Sequence, residues 1–207
     1  MGRWGRDVAC VVCIAWLSEA PGAAAGGSAA LGAAGEGGAV PGSSSMCPAT
    51  GEVPDLPAPE FLHVRPVDES IAAPFRAGIR RSRTLAELVN HLETLDGRVY
   101  LLAGAYRRPS RGLVLRGGTS HEVGVTSSFR IVKVTVDPMM GDQTIATIGH
   151  ELRHATEILD APDTVDVRSV ERLYERIGFL VGAGVYETNA ARRTEHQVFE
   201  DLKHCRF

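Results

Sequence analysis

The chain lacks the features that mark nucleic-acid-binding and membrane-spanning proteins. Its 207 residues include 22 basic and 25 acidic side chains, and the net charge of −3 offers no basic face for phosphate. An apolar run at residues 8–17 is too short to cross a bilayer. We therefore expect neither a nucleic-acid partner nor a stable membrane span. No feature of the sequence predicts the oligomeric state.

Cysteine is also scarce, with four residues in the chain. Neither Cys10 nor Cys13 sits in a lipoprotein box. If the first 25 residues are removed, Cys47 and Cys205 remain, and in an oxidising compartment they can form a disulfide. They can equally be two unrelated thiols, because their spacing is not that of a zinc knuckle or a redox pair.

The first 25 residues have the pattern of a signal peptide. Arg3 and Arg6 precede the apolar run at 8–17, and the small residues 23–25 offer a cleavage site. We predict export, to the periplasm or the exterior, with residues 1–25 removed. The alternatives are an uncleaved, poorly formed anchor and a true translation start at Met46.

Residues 26–58 consist largely of Gly, Ala, Ser and Pro. Such a segment cannot bury enough apolar surface to offset the entropy lost on ordering, so we predict a disordered linker. The remaining residues, 59–207, are predicted to form one domain.

Within that domain the apolar patterns predict an order of strand, helix, strands and helices. A short edge strand is expected at 61–66, and a helix opens at 82–84 and ends at 96–97. Further strands are expected at 99–102, 112–115, 121–125 and 129–136. The segment 178–185 reads as an apolar connection whose expected role is core filling, with pocket lining as the alternative.

One stretch, residues 144–159, carries the chemistry. It contains His150-Glu151-Leu152-Arg153-His154, an H-E-x-x-H. Apolar residues recur through it at helical spacing, with Asp142 as the expected N-cap and 160–162 as the expected stop. Residues four apart share a helix face, so both imidazoles can reach one metal ion. Glu151 would then stand where it can take a proton from water on that ion.

This motif resembles that of the zincin metallopeptidases, and the resemblance covers the motif helix and one downstream helix. It implies a small zincin-like α+β domain. In that domain an N-terminal helix and a twisted sheet precede the active-site helix, and two further helices follow. It also implies bound Zn²⁺, with Glu151 as general base. Arg153 departs from the family, because zincins usually have uncharged residues at both x positions.

A catalytic zinc site needs a third protein ligand. Glu187 is our choice, because 186–191 looks like the glutamate-bearing helix of gluzincins, the zincin branch with a glutamate ligand. Glu187 is expected on the buried face of the last helix, in its first turn. Ala191 departs from the gluzincin pattern, which often has there an Asp that orients a motif His.

Other residues compete for the role of third ligand. Asp160 lies six residues after His154, where metzincins place theirs, but that arrangement needs a Gly where this chain has Glu157. Weaker rivals, and residues more readily explained by packing or solvation, are Asp163, Asp166, His121, His196, Tyr174 and Tyr186. The two tyrosines are expected to be packing residues with hydrated hydroxyl groups.

The sequence therefore predicts an exported zinc metallopeptidase that binds zinc through His150, His154 and Glu187 and hydrolyses peptide or protein substrates. Two alternatives stay open. One is a zinc-binding structural or partner-binding domain without catalysis. The other is a metal-free domain that carries the motif by chance.

Overall fold

A computed structural model describes residues 11–13, 61–104, 106–107, 114–115, 117–125, 130–138, 141–182 and 185–205. Most of the predicted signal peptide and the whole predicted linker lie outside these residues. Cys205 is disulfide-bonded. Cys47, which the sequence offered as one possible partner, lies outside the described residues, so a Cys47–Cys205 pair stays one of the two alternatives.

Helices and strands are mixed along the described part of the chain. The helices are α1 (Glu69–Arg81), α2 (Arg83–Leu92), α3 (Asp142–Asp160), α4 (Val167–Ile177) and α5 (Asn189–His204). The strands are β1 (Val11–Cys13), β2 (Val64–Pro66), β3 (Gly97–Ala103), β4 (Tyr106–Arg107), β5 (Val114–Leu115), β6 (Gly117–Val125), β7 (Arg130–Val136), β8 (Phe179–Gly182) and β9 (Val185–Glu187). This mixture agrees with the predicted α+β class.

The main sheet has five strands in the order β1-β6-β7-β3-β2. Strands β2, β3 and β7 are parallel, whereas β6 and β1 run antiparallel to their neighbours. β1 lies within the predicted signal peptide and pairs with β6, with Val12 opposite Thr119. Removal of residues 1–25 would therefore leave β6 as an edge strand of this sheet. Two small antiparallel pairs, β4–β5 and β8–β9, complete the strands of the described residues.

The motif helix α3 lies at the centre of the domain. It packs against α5, α2 and α1 on the helical side and against β7 and β6 of the sheet. Its predicted apolar stripe is buried, as are nearly all of its residues between Thr144 and Leu159. Buried charged groups are costly unless they are paired or bind a cation. The charged residues of this helix therefore need an explanation in the site itself.

Helix α1 was not predicted from the sequence. Pro74 lies inside α1 and removes one backbone donor, which weakens the helical signal. Gly78 weakens it further, yet the fold requires this glycine. A Cβ at Gly78 would lie 2.5 Å from Cγ2 of Ile145, so only glycine allows α1 to approach α3 so closely.

Two local predictions were wrong. Asp142 is the first residue of α3, whereas Gly141, with φ of 60°, occupies the N-cap position. The Asp142 side chain instead pairs with Arg81, with Oδ1 and Nη1 2.7 Å apart. Within the segment 178–185, residues 179–182 form β8 and Val185 begins β9. Val185 is buried, but Phe179, Leu180 and Val181 are exposed, so β8 does not fill the core.

The predicted helix stop is confirmed, because α3 ends at Asp160.

No helix among the described residues combines the length and the apolar character that crossing a membrane requires.

Candidate metal centre

His150 and His154 lie one turn apart on the same face of α3, and both side chains are fully buried. Their Nε2 atoms are 3.1 Å apart. The helix holds them in this relation because its inward face packs against α5 and the sheet. The helical spacing predicted from the motif is confirmed.

Glu187 lies beside both imidazoles. Its Oε1 atom is 3.4 Å from Nε2 of His150 and 3.5 Å from Nε2 of His154. Bonds of about 2.0–2.1 Å from a tetrahedral zinc ion would place the ligand atoms about 3.3–3.4 Å apart. The three buried residues therefore form a cluster that can hold a metal ion.

The position of Glu187 along the chain differs from the prediction. It is the last residue of β9 and precedes the N-cap of α5, Thr188, so it is not in the first helical turn. Its Oε1 atom accepts a hydrogen bond of 2.7 Å from the backbone N–H of Thr188. The prediction that it is buried is confirmed, because it is 3% exposed.

The rival carboxylates lie elsewhere. Asp160 is half exposed and pairs with His91, with 2.9 Å between Oδ1 and Nε2. Asp166 caps α4 by accepting from the backbone N–H of Ser169 at 2.7 Å, and Asp163 is exposed. None of the three joins the cluster.

The structure describes the side chains of three of the four remaining candidates, which are histidines and tyrosines. His196 is exposed on α5 and lies 3.8 Å from Glu200. The side chain of His121 lies outside the described part of the structure. Tyr174 is fully buried and donates to the carbonyl oxygen of His154 at 3.2 Å. The prediction of a hydrated hydroxyl is therefore wrong for Tyr174. Tyr186 is partly buried and packs against the core, as expected.

Glu151 is fully buried between α3 and β6. Its Oε2 atom accepts a hydrogen bond of 2.7 Å from Oγ1 of Thr119, and its Oε1 atom has no hydrogen-bond partner among the described residues. Burial raises the pKa of this carboxyl, while the two histidines and Thr119 act in the opposite direction. Oε1 is thus available to receive a proton inside the site.

Two further carboxylates contact the outer nitrogens of the imidazoles. Oε2 of Glu157 is 3.0 Å from Nδ1 of His154, and Oε2 of Glu195 is 3.3 Å from Nδ1 of His150. Carboxylates in this position fix the ring orientation and the tautomer of metal-binding histidines. Sequence reasoning missed both contacts. The spacing of three residues between His154 and Glu157 was the available signal.

The electrostatics of the cluster favour a cation. Burial lowers the pKa of His154, but the bonds to Glu157 and Glu187 outweigh it and raise the pKa to about 9. Burial raises the pKa of Glu187, but the two histidines hold it below its ordinary value. Two arginines also lie near these carboxylates, Nε of Arg153 at 3.7 Å from Glu157 and Nε of Arg192 at 3.5 Å from Glu187. The two imidazoles are surrounded by four carboxylates, which belong to Glu151, Glu157, Glu187 and Glu195.

The chain matches no protein-family model, no curated protein and no solved structure. The function is therefore argued from the geometry of this cluster and from the chemistry of its residues.

Proposed function

We propose that the protein is an exported zinc metallopeptidase of gluzincin-like type, which hydrolyses bonds in peptide or protein substrates. One observation carries the proposal. The donor atoms of His150, His154 and Glu187 form a triangle of the size that zinc requires, and the carboxyl group of Glu151 stands beside it.

The donor set favours zinc over the hard cations. Magnesium and calcium prefer sites built from oxygen ligands, whereas imidazole nitrogen suits zinc and neighbouring transition metals. Two imidazoles with one carboxylate leave a fourth position in a tetrahedral site, which is the arrangement of catalytic zinc.

Bound zinc would polarise the scissile carbonyl and lower the pKa of the attacking water. Glu151 would take one proton from that water through Oε1 as the oxygen adds to the carbonyl carbon. It would then give the proton to the leaving nitrogen as the C–N bond breaks, so that an acid and an amine result. Thr119 orients Glu151 by binding Oε2, and the raised pKa of Glu151 helps it to retain the proton between the two steps.

A second function is favoured by the depth of the site. His150 and His154 are fully buried and Glu187 nearly so. A zinc ion held there without access for substrate would stabilise the domain, as structural zinc does. The two proposals share the ligands and differ in whether a peptide reaches them.

Metal content of the full-length protein tests the site, with wild type beside Glu187→Ala and Asp160→Ala. We expect one zinc per chain, lost with Glu187→Ala and kept with Asp160→Ala, because Asp160 lies outside the cluster. Absence of zinc from wild-type protein purified without chelator would overturn both proposals.

Turnover of a peptide library separates the two functions. A peptidase should cleave, and Glu151→Gln should abolish cleavage while zinc stays bound. Zinc-loaded wild type that cleaves nothing in a broad library would favour the structural role. Full activity in Glu151→Gln would contradict the proposed chemistry.

A further inference from the structure

Four residues form a closed ring of contacts around one side of the cluster. Nδ1 of His154 lies 3.0 Å from Oε2 of Glu157, whose Oε1 accepts a hydrogen bond of 2.8 Å from Oγ1 of Thr188. The backbone N–H of Thr188 donates to Oε1 of Glu187 at 2.7 Å, and that atom lies 3.5 Å from Nε2 of His154. The ring joins two residues of α3 to the last residue of β9 and the N-cap residue of α5.

Glu157 determines which nitrogen of His154 faces the cluster. A carboxylate accepts but does not donate, so the ring nitrogen beside it must carry the proton. When the imidazole of His154 is neutral, Nε2 carries the lone pair, and this atom lies 3.1 Å from Nε2 of His150 and 3.5 Å from Oε1 of Glu187. Tyr174 also approaches Nδ1, at 3.4 Å, but its hydroxyl donates to the carbonyl oxygen of His154.

The second oxygen of Glu157 accepts a hydrogen bond from Thr188, the residue that follows Glu187. Thr188 is the N-cap of α5, and its Oγ1 accepts from the backbone N–H of Ala191 at 3.0 Å. A hydroxyl that donates to Glu157 while accepting from Ala191 has its orientation fixed by both bonds. The backbone N–H of the same Thr188 holds the carboxylate of Glu187, one residue earlier.

We propose that Glu157 is a positioning residue that sets His154 and Glu187 in register for one metal ion. The proposal rests on the proposed metal site and adds a role that the H-E-x-x-H motif does not contain. Glu157 is three residues beyond the motif on the same face of α3, and its side chain is 6% exposed.

Surface ion pairing does not account for this carboxylate. Nε of Arg153 is 3.7 Å from Oε1 of Glu157, which is too far for a hydrogen bond, so this ion pair does not fix the carboxylate. The corresponding contact on the other histidine is longer, since Glu195 lies 3.3 Å from His150. Glu157 is therefore expected to matter more than Glu195 for metal binding.

The test compares Glu157→Ala, Glu157→Gln and Glu175→Ala in the full chain. Glu175 is an exposed carboxylate on α4 and serves as the control. Zn²⁺ affinity is measured by competition with a chromophoric chelator, and the visible spectrum is recorded after loading with Co²⁺. We expect Glu157→Ala to weaken zinc binding about 10- to 100-fold and to alter the cobalt spectrum. Glu157→Gln retains an acceptor for Nδ1–H and should lie between it and wild type.

A second pair of variants tests the link to Glu187. Thr188→Val removes the hydroxyl at nearly constant size, whereas Thr188→Ser keeps it. Zinc affinity should fall in Thr188→Val and recover in Thr188→Ser. Thermal unfolding in the presence of chelator identifies any loss that comes from folding alone.

The outcomes separate the two proposals. Wild type that binds no metal would overturn the proposed function and this inference together. Wild type that binds zinc, with unchanged affinity and cobalt spectrum in Glu157→Ala, would overturn only the positioning role. A Glu157→Ala variant that loses metal affinity only in proportion to its metal-free stability would also overturn it.

Discussion

Thr119 on β6 donates a hydrogen bond of 2.7 Å to the carboxylate of Glu151 on α3. The two residues are 32 positions apart, and the contact exists because β6 packs beside the motif helix. It holds one oxygen of Glu151, while the other is buried without a hydrogen-bond partner among the described residues.

Glu151→Gln should stabilise the metal-free protein at neutral pH. Burial raises the folded-state pKa of Glu151 above its ordinary value of 4.5, so its contribution favours folding at low pH. That contribution is lost as the pH rises from 4.5 through the folded-state pKa, and each unit of difference corresponds to about 1.4 kcal/mol. Glutamine does not titrate, so the gain should grow with pH.

Urea unfolding in the presence of chelator, at pH 4 to 8, measures this effect. The exposed residue Glu175, changed to Gln, is the control. A gain from Glu151→Gln that is the same at every pH would contradict the expectation.

Gly149→Ala should separate α5 from α3. A Cβ at Gly149 would lie 2.8 Å from Cγ2 of Val198, a stiff β-branched side chain. Overpacking of this kind costs about 1–3 kcal/mol, and it would disturb the segment that carries Glu187. Thermal unfolding and zinc affinity should both decline.

Val198→Ala supplies the matched control for that steric explanation. Alone it leaves a cavity, but combined with Gly149→Ala it removes the clash. The double variant should be more stable than the sum of the two single effects predicts. Simple additivity would show that the close approach is not the cause.

Arg130→Met should destabilise the C-terminal end of α3. The guanidinium donates to the carbonyl oxygens of Ile158, Leu159 and Ala161, the last two at 2.5 and 2.6 Å. These carbonyl groups have no partner within the helix. Thr164 also donates to those of Ile158 and Ala161, so the loss of Arg130 falls mainly on the carbonyl of Leu159, and burial without a donor is costly. We expect a loss of about 2–3 kcal/mol in urea unfolding. Arg193→Met on the exposed face of α5 should change little, and an equal loss there would refute this role for Arg130.

Asp201→Asn should weaken the domain in a pH-dependent way. Asp201 on α5 accepts from the backbone N–H of Thr84 at 3.0 Å and from Oγ of Ser82 at 2.8 Å. Burial raises its pKa, but these bonds outweigh burial and lower the pKa below its ordinary value of 3.8. Its stabilisation is therefore present above pH 3.8 and lost as the pH falls through the folded-state value.

The loss from Asp201→Asn should be about 1 kcal/mol at pH 6, because solvent partly screens the site, and it should shrink below about pH 4. Urea unfolding at pH 3 to 6 measures it, with the exposed Asp163→Asn as the control. A loss that persists undiminished at pH 3 would contradict the assignment.

The sequence alone determined the parts of this protein that depend on neighbours along the chain. The helix that carries His150, Glu151 and His154 follows from a repeating apolar pattern, and that pattern alone places both imidazoles on one face. The burial of Glu187 was also predicted. The structure contains both features, because helical periodicity and side-chain chemistry are local properties.

Only the tertiary structure decided the surroundings of the motif. Thr119 and Glu195 reach the site from β6 and α5, at separations that no local pattern encodes. Glu187 lies at the end of β9, which pairs with β8, whereas the apolar residues of the segment 178–185 predicted a connection that fills the core or lines a pocket. The contacts of Thr119 and Glu195 with the cluster thus come from long-range packing, whereas the Glu157–His154 spacing and the identity of the chemical groups were readable from the sequence.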